Sequence, residues 1–222
     1  MRKYILEKIN NSPRFFNLGG IEVKEIDPIS DNINLNAVFK SIEDNFPSHY
    51  LHHLKGIEII HLDEFDTREV NAVYKDGVFY ISNQQSSSQD LIDDIIHEFA
   101  HHMETITPED IYGDESLKRE FLRKRKQLKF EIQSEGYRVE GYNFGNLKYD
   151  ENFDEFLYKR LGKTALRMMT SGIFVRPYAA VSLREYFATG FEAYYLGKRD
   201  KLKKISPILY SKIDNLHYLE TE

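Results

Sequence analysis

The chain has 222 residues, enough for one sizeable domain or two small ones, and 41% of them are hydrophobic, sufficient for a core. Its formal net charge of −6, from 30 basic and 36 acidic residues, disfavours nucleic acid as the main partner, because phosphate binding wants a basic surface. It has no cysteine, so disulfides are excluded and any metal must be held by His, Asp or Glu.

The opening "MRKYILEKINNSPRFF" carries charges but no apolar run of the secretory kind. No stretch of the chain approaches the ~18 continuous apolar residues of a membrane span. The expectation is a cytoplasmic or otherwise intracellular protein without membrane association; a virus particle or a delivered toxin is the alternative setting. The first 30 residues read as irregular, with turn signals at Ser12-Pro13, Gly19-Gly20 and Asp27-Pro28. "LNAVFKSIEDNF" spaces Leu35, Val38, Phe39 and Ile42 along one helix face behind an Asn34 cap, and "GIEIIHLDEF" is β-branched enough for a strand. "NAVYKDGVFYIS" is two short apolar runs about Asp76-Gly77, a dipeptide that favours tight hairpin turns.

"SSSQDLIDDIIHEFAHHMETITPED" follows. Ser87 and Asp90 fit a capping box and Pro108 marks an exit, so the sequence predicts a helix from about 88 to 105. A charged helix is expected over 114–135, with Leu117, Phe121, Leu128 and Ile132 inward and the basic run "KREFLRKRKQLK" as a solvated face. "EGYRVEGYNFGNLKYDEN" reads as a loop or flexible excursion. One or two helices broken at Gly162 come next, then a helix over 181–197 and a last short helix opened by Ser206-Pro207.

Within the predicted helix 88–105, His97-Glu98-Phe99-Ala100-His101 places two imidazoles one turn apart on a single face, able to share an ion. Zinc takes nitrogen ligands at ~2.0–2.1 Å, and a catalytic site keeps one position open for water. Glu98, next to the first ligand, is placed to take a proton from that water and return it to a leaving amine. His102 points about 100° away around the helix and is not expected to be a ligand. "HYLHH" gives His49 and His53 the same spacing, but Tyr50 stands where the base would be, so that pair reads as polar structure. A third ligand is needed. Helix 181–197 offers Glu185 and Glu192, seven apart and on similar faces, and periodicity does not choose between them.

"RPYAAVSLREYFATGFEAYYLG" resembles the glutamate helix of the anthrax lethal factor-like metallopeptidases, a family that includes the clostridial Pro-Pro endopeptidases. That helix reads approximately E-F-F-A-E-x-F, with a tyrosine seven residues before the first glutamate; here "EYFATGF" starts at Glu185 and the tyrosine is Tyr178. The tail "SPILYSKIDNLHYL" is similar to the family's closing helix. The likeness covers residues 35–105 loosely and 176–218 more closely. It implies one zinc ion per chain held by His97, His101 and Glu185, with Glu98 as base and Tyr178 as a hydrogen-bond donor to substrate or oxyanion.

The implied activity is a gluzincin-type zinc endopeptidase, with a peptide or protein substrate paired along an edge strand at Val78–Ser82. The implied fold is α+β and zincin-like. A small sheet with a hairpin edge strand packs on the His-Glu helix, and a mainly helical C-terminal half follows. One domain would span 1–222, with sub-domains at about 30–107 and 171–222 and a helical insertion at about 113–170. Two departures stand out: Thr189 occupies the place of the family's second glutamate, and 84 residues separate His101 from Glu185. Two other classes fit the residues less fully: a non-catalytic binding or assembly protein stabilised by metal, and a nucleic-acid-binding accessory protein using the basic helix at 118–129.

Overall fold

The computed structural model describes residues 12–68 and 70–219. The fold is α+β, and contacts divide the chain into two compact units, the first ending at Ile106 and the second starting at Thr107.

The first unit runs β1 (Arg14–Leu18), β2 (Ile21–Glu25), α1 (Leu35–Asn45), β3 (Gly56–Ile60), a short α2 (Asp63–Arg68), β4 (Ala72–Lys75), β5 (Val78–Ser82) and α3 (Ser88–Ile106). Among the described residues its five strands form one mixed sheet in the order β1-β2-β3-β5-β4. The inner strands β2, β3 and β5 are parallel, and the outer β1 and β4 are antiparallel to their neighbours. Register aligns Val23 with Ile57 and Ile57 with Phe79, and one residue pair further on Ile59 with Ile81. All five are buried, so the alternation builds one apolar sheet face. Asn34 caps α1 through its side chain on the Ala37 N–H, as its sequence position predicts.

Two expectations need correction here. The segment expected to be irregular contains the β1–β2 hairpin, turning at Gly19-Gly20; the glycines there are the loop of two five-residue strands rather than a break in structure. Residues 1–11 of that stretch lie outside the described residues. Val78–Ser82 is also not an edge strand. β5 is bonded to β3 on one side and to β4 on the other, so the hairpin's first arm, Ala72–Lys75, is the outer strand. The Asp76-Gly77 turn itself is as expected, with both residues at positive φ (54° and 87°), the pairing a type I′ turn requires.

The second unit is helical: α4 (Pro108–Tyr112), α5 (Ser116–Ser134), α6 (Glu151–Glu155) continuing into a π turn at Phe156–Arg160, α7 (Lys163–Thr170), α8 (Leu183–Tyr195), α9 (Arg199–Ile205) and α10 (Pro207–His217). Gly162, at φ +80°, separates the π turn from α7. Gly190 of α8 faces α10 so closely that a Cβ there would lie 2.3 Å from Leu209 Cδ2, which is why this helix interior carries glycine. Ser206 occupies the N-cap position of α10, but its hydroxyl makes no capping bond. The carboxylate of Glu120, on α5, does that work: it accepts from Ile208 N (3.2 Å), Leu209 N (3.0 Å) and the Tyr186 hydroxyl (2.8 Å). Three donors give this buried carboxylate the hydrogen bonds that burial would otherwise deny it.

Candidate metal centre

Helix α3 begins where the capping box predicts, the Asp90 N–H donating to Ser87 Oγ at 3.1 Å. Leu91, Ile95, Phe99 and Met103 recur every four residues and are all fully buried. The Phe99 ring meets Phe79 of β5 edge-to-face at a centroid distance of 4.9 Å. That buried ridge fixes the helix's rotation and leaves His97 and His101 together on another face. Their Nε2 atoms are 3.1 Å apart, with the rings at 84°. Two nitrogens on one tetrahedral zinc, each at ~2.0–2.1 Å, stand about 3.3 Å apart, so this spacing fits a shared ion. Glu98, between them in sequence, is buried.

Glu104, a residue the sequence reading did not select, reaches back one turn to His101, its Oε2 2.7 Å from Nδ1. A carboxylate only accepts, so Nδ1 carries the proton and the Nε2 lone pair is left for a ligand bond. The sequence signal was available in principle: an acid three residues after the second histidine lies on the same face. His102 has both ring nitrogens engaged, Nε2 2.8 Å from the His52 carbonyl and Nδ1 3.1 Å from the Tyr74 hydroxyl on β4. Since the carbonyl can only accept, Nε2 is the donor and Nδ1 the acceptor. Burial lowers its pKa, so His102 is a neutral strut, not a ligand, in agreement with its direction on the helix.

The other ligand pair considered does not form. His49 lies in a single 3-10 turn, Ser48–Leu51, and His53 follows at φ +65°. The two therefore do not share the face of an α-helix.

In the second unit, Glu185 sits in the first turn of α8, where its N–H donates to the N-cap Ser182 Oγ at 3.1 Å. Glu192 forms an ion pair with Arg176, which commits its carboxylate elsewhere and separates the two glutamates that periodicity left equivalent. Thr189 turns its hydroxyl back to the Glu185 carbonyl at 2.8 Å. It thus bonds the helix backbone and supplies no carboxylate.

Tyr178 lies in the 3-10 turn Pro177–Ala180 just upstream, its ring 6.5 Å from that of Tyr158 in the π turn. Burial first, then the charges of Glu185 and Asp154, raise the pKa of its phenol well above the ordinary tyrosine value. The hydroxyl is therefore a proton-bearing donor at neutral pH. Tyr158 is pushed up to about 12, again by burial first and Asp154 second.

His97 and His101 belong to the first unit and Glu185 to the second; within the first, the two imidazole nitrogens have the spacing and chemistry of two ligands to one metal ion. The basic run of α5 departs from the solvated face expected of it. Arg119, Arg123 and Lys126 are exposed, but Lys124 and Arg125 are buried.

No family model matches the chain, and comparison with curated proteins and with solved structures gives no match.

Proposed function

We propose that the protein is a zinc-dependent endopeptidase whose ion is held by His97 Nε2, His101 Nε2 and a Glu185 carboxylate oxygen. The observation that carries the reading is the imidazole pair, its Nε2 atoms 3.1 Å apart with His101 oriented by Glu104, beside a glutamate in the position of a base. Bound there, zinc would supply Lewis acidity for the scissile carbonyl and a lowered pKa for the attacking water.

The chain's own residues supply the rest. Glu98 takes one proton of the attacking water as the C–O bond forms and delivers it to the amine nitrogen as the C–N bond then breaks, so an acid and an amine leave and the proton count balances. Tyr178, kept protonated by burial and by its acidic neighbours, donates a hydrogen bond to the developing oxyanion. Glu104 holds the His101 ring in the tautomer that presents Nε2. An extended substrate would add to the outer strand β4 by main-chain hydrogen bonds. β4 carries Tyr74, and the Tyr74–His102 bond ties that strand to the helix of the two histidines.

The reading is tested by digesting a mixed-sequence peptide library with wild type and Glu98→Ala at matched zinc content. Wild type is expected to cleave. The variant is expected to keep its zinc and lose turnover by a factor of at least ~10². Equal turnover in the two proteins, or none in zinc-loaded wild type, contradicts it.

A further inference from the structure

The segment that carries both Tyr178 and Glu185 has an unusual anchor. Between the two residues the chain passes through Ala180, Val181 and Ser182, all buried, and the Val181 N–H closes the 3-10 turn on the Tyr178 carbonyl. The carbonyls of Ala180 and Val181 are satisfied from outside the segment: both accept from Nη1 of Arg125 on α5, the Val181 bond being 3.1 Å. The same guanidinium donates through Nε to Phe144 O (3.3 Å) and through Nη2 to Asn143 O (3.3 Å) and Asn146 O (3.4 Å).

Five carbonyls from two separate stretches of chain thus converge on one side chain that is only 1% exposed. Its central carbon lies over the Phe153 ring, 3.9 Å from the centroid, and 5.3 Å from the Phe121 centroid. One further bond joins the same two stretches, Leu183 N to Leu147 O at 2.9 Å in the first turn of α8.

From this geometry we infer that Arg125 is a positioning residue for the proposed centre: it sets the backbone between Tyr178 and Glu185, and so the placement of the third ligand. The inference rests on the proposed metal reading and extends it to a residue that touches neither metal nor substrate. A guanidinium suits the task because five N–H donors in a fixed plane can serve carbonyls on both sides at once. An ammonium offers three donors from a single point. The residues between α5 and α8, which read as a loop or excursion, then have a function. Asn143, Phe144 and Asn146 occupy one side of the guanidinium and keep its other side turned to Ala180 and Val181.

The test is a double-mutant cycle on zinc affinity, read by competition with a chromogenic chelator, in the full chain carrying Arg125→Lys, Glu185→Ala, both, or neither. Groups that orient a ligand typically change metal affinity by ~10–100-fold when replaced. Arg125→Lys is therefore expected to weaken zinc at least ~10-fold in the wild-type background. In the Glu185→Ala background it is expected to change affinity less than ~2-fold, because the ligand through which it acts is gone. A general loss of structure would instead weaken zinc equally in both backgrounds, and that result overturns the inference. So does an unchanged affinity in Arg125→Lys.

Failure of the metal reading looks different. In that case Glu185→Ala itself leaves affinity unchanged, or wild type binds no zinc, and Arg125 then has no centre to position. Amide hydrogen exchange gives a zinc-independent arm: Arg125→Lys should speed exchange at 178–186 and 143–147 while α3 keeps its protection, and unaltered exchange there overturns the inference. If Arg125→Lys does not fold, Phe153→Leu, which removes the ring beneath the guanidinium and keeps the charge, is carried through the same cycle.

Discussion

Helices α3 and α5 have the same length, 19 residues each, and are held in opposite ways. α3 is seated by an apolar ridge, Leu91–Ile95–Phe99–Met103, which leaves His97 and His101 together on another face. α5 has an apolar ridge too, Leu117, Phe121, Leu128 and Ile132, but buries three charged side chains beside it. Lys124 donates to the carbonyls of Ile173 (2.6 Å) and Ile205 (2.7 Å), Arg125 to five carbonyls, and Glu120 caps α10. The first helix is fixed mainly by non-directional burial, with one buried imidazole, His102, adding two bonds; the second relies also on three charged side chains bonded largely to backbone. Chemistry can be mounted on a helix of the first kind because its seating leaves the His97–His101 face out of use. A helix of the second kind spends its polar residues on structure.

Cutting each helix at its characteristic contact would break that contrast. Phe99→Ala removes a fully buried ring at the Phe79 contact and should cost about 3–5 kcal/mol. Denaturant titration is expected to show a lowered midpoint with unchanged slope. Lys124→Met keeps most of the apolar stem and leaves two carbonyls without their donor, for a loss of about 1–3 kcal/mol; an unchanged midpoint would mean those bonds carry no weight.

The same pair of proteins sharpens the comparison through pH. Burial lowers the Lys124 pKa from 10.5 to about 8, so between about pH 8 and 10.5 the unfolded chain holds a proton that the folded one has released. Stability contributed by this group then rises with pH across that window. The advantage of wild type over Lys124→Met should accordingly widen from pH 8 to pH 10. A gap that narrows would show that the ammonium form is the one the fold prefers.

The contrast also explains which parts of the molecule could be read from the chain. Helix α3, its cap, the hairpin turn at Asp76-Gly77 and the glutamate helix were legible because each is specified locally, by periodicity, a capping residue or a dipeptide that demands positive φ. The β1–β2 hairpin was not, since its strands are five residues long and Gly19-Gly20 signals a turn without saying that strands flank it. Strand order was hidden as well: alternation in "GVFYIS" is the same whether β5 lies inside the sheet or at its edge, and only pairing with β3 decides it.

In the candidate site, His97, Glu98 and His101 declared themselves by spacing. Glu185 and Glu192 did not separate until the Arg176 ion pair was seen. Glu104 was within reach of a helical-face argument. Arg125 was not, because a cation in "KREFLRKRKQLK" reveals nothing of carbonyls 18 to 56 residues away.

Zinc titration of purified wild-type protein, beside His101→Ala and Glu185→Ala, bears most directly on the account as a whole. Wild type is expected to bind one zinc per chain, His101→Ala to lose it, and Glu185→Ala to hold it at least ~10-fold more weakly. Wild-type protein that takes up no zinc, or both variants binding it as wild type does, would contradict the three-donor centre.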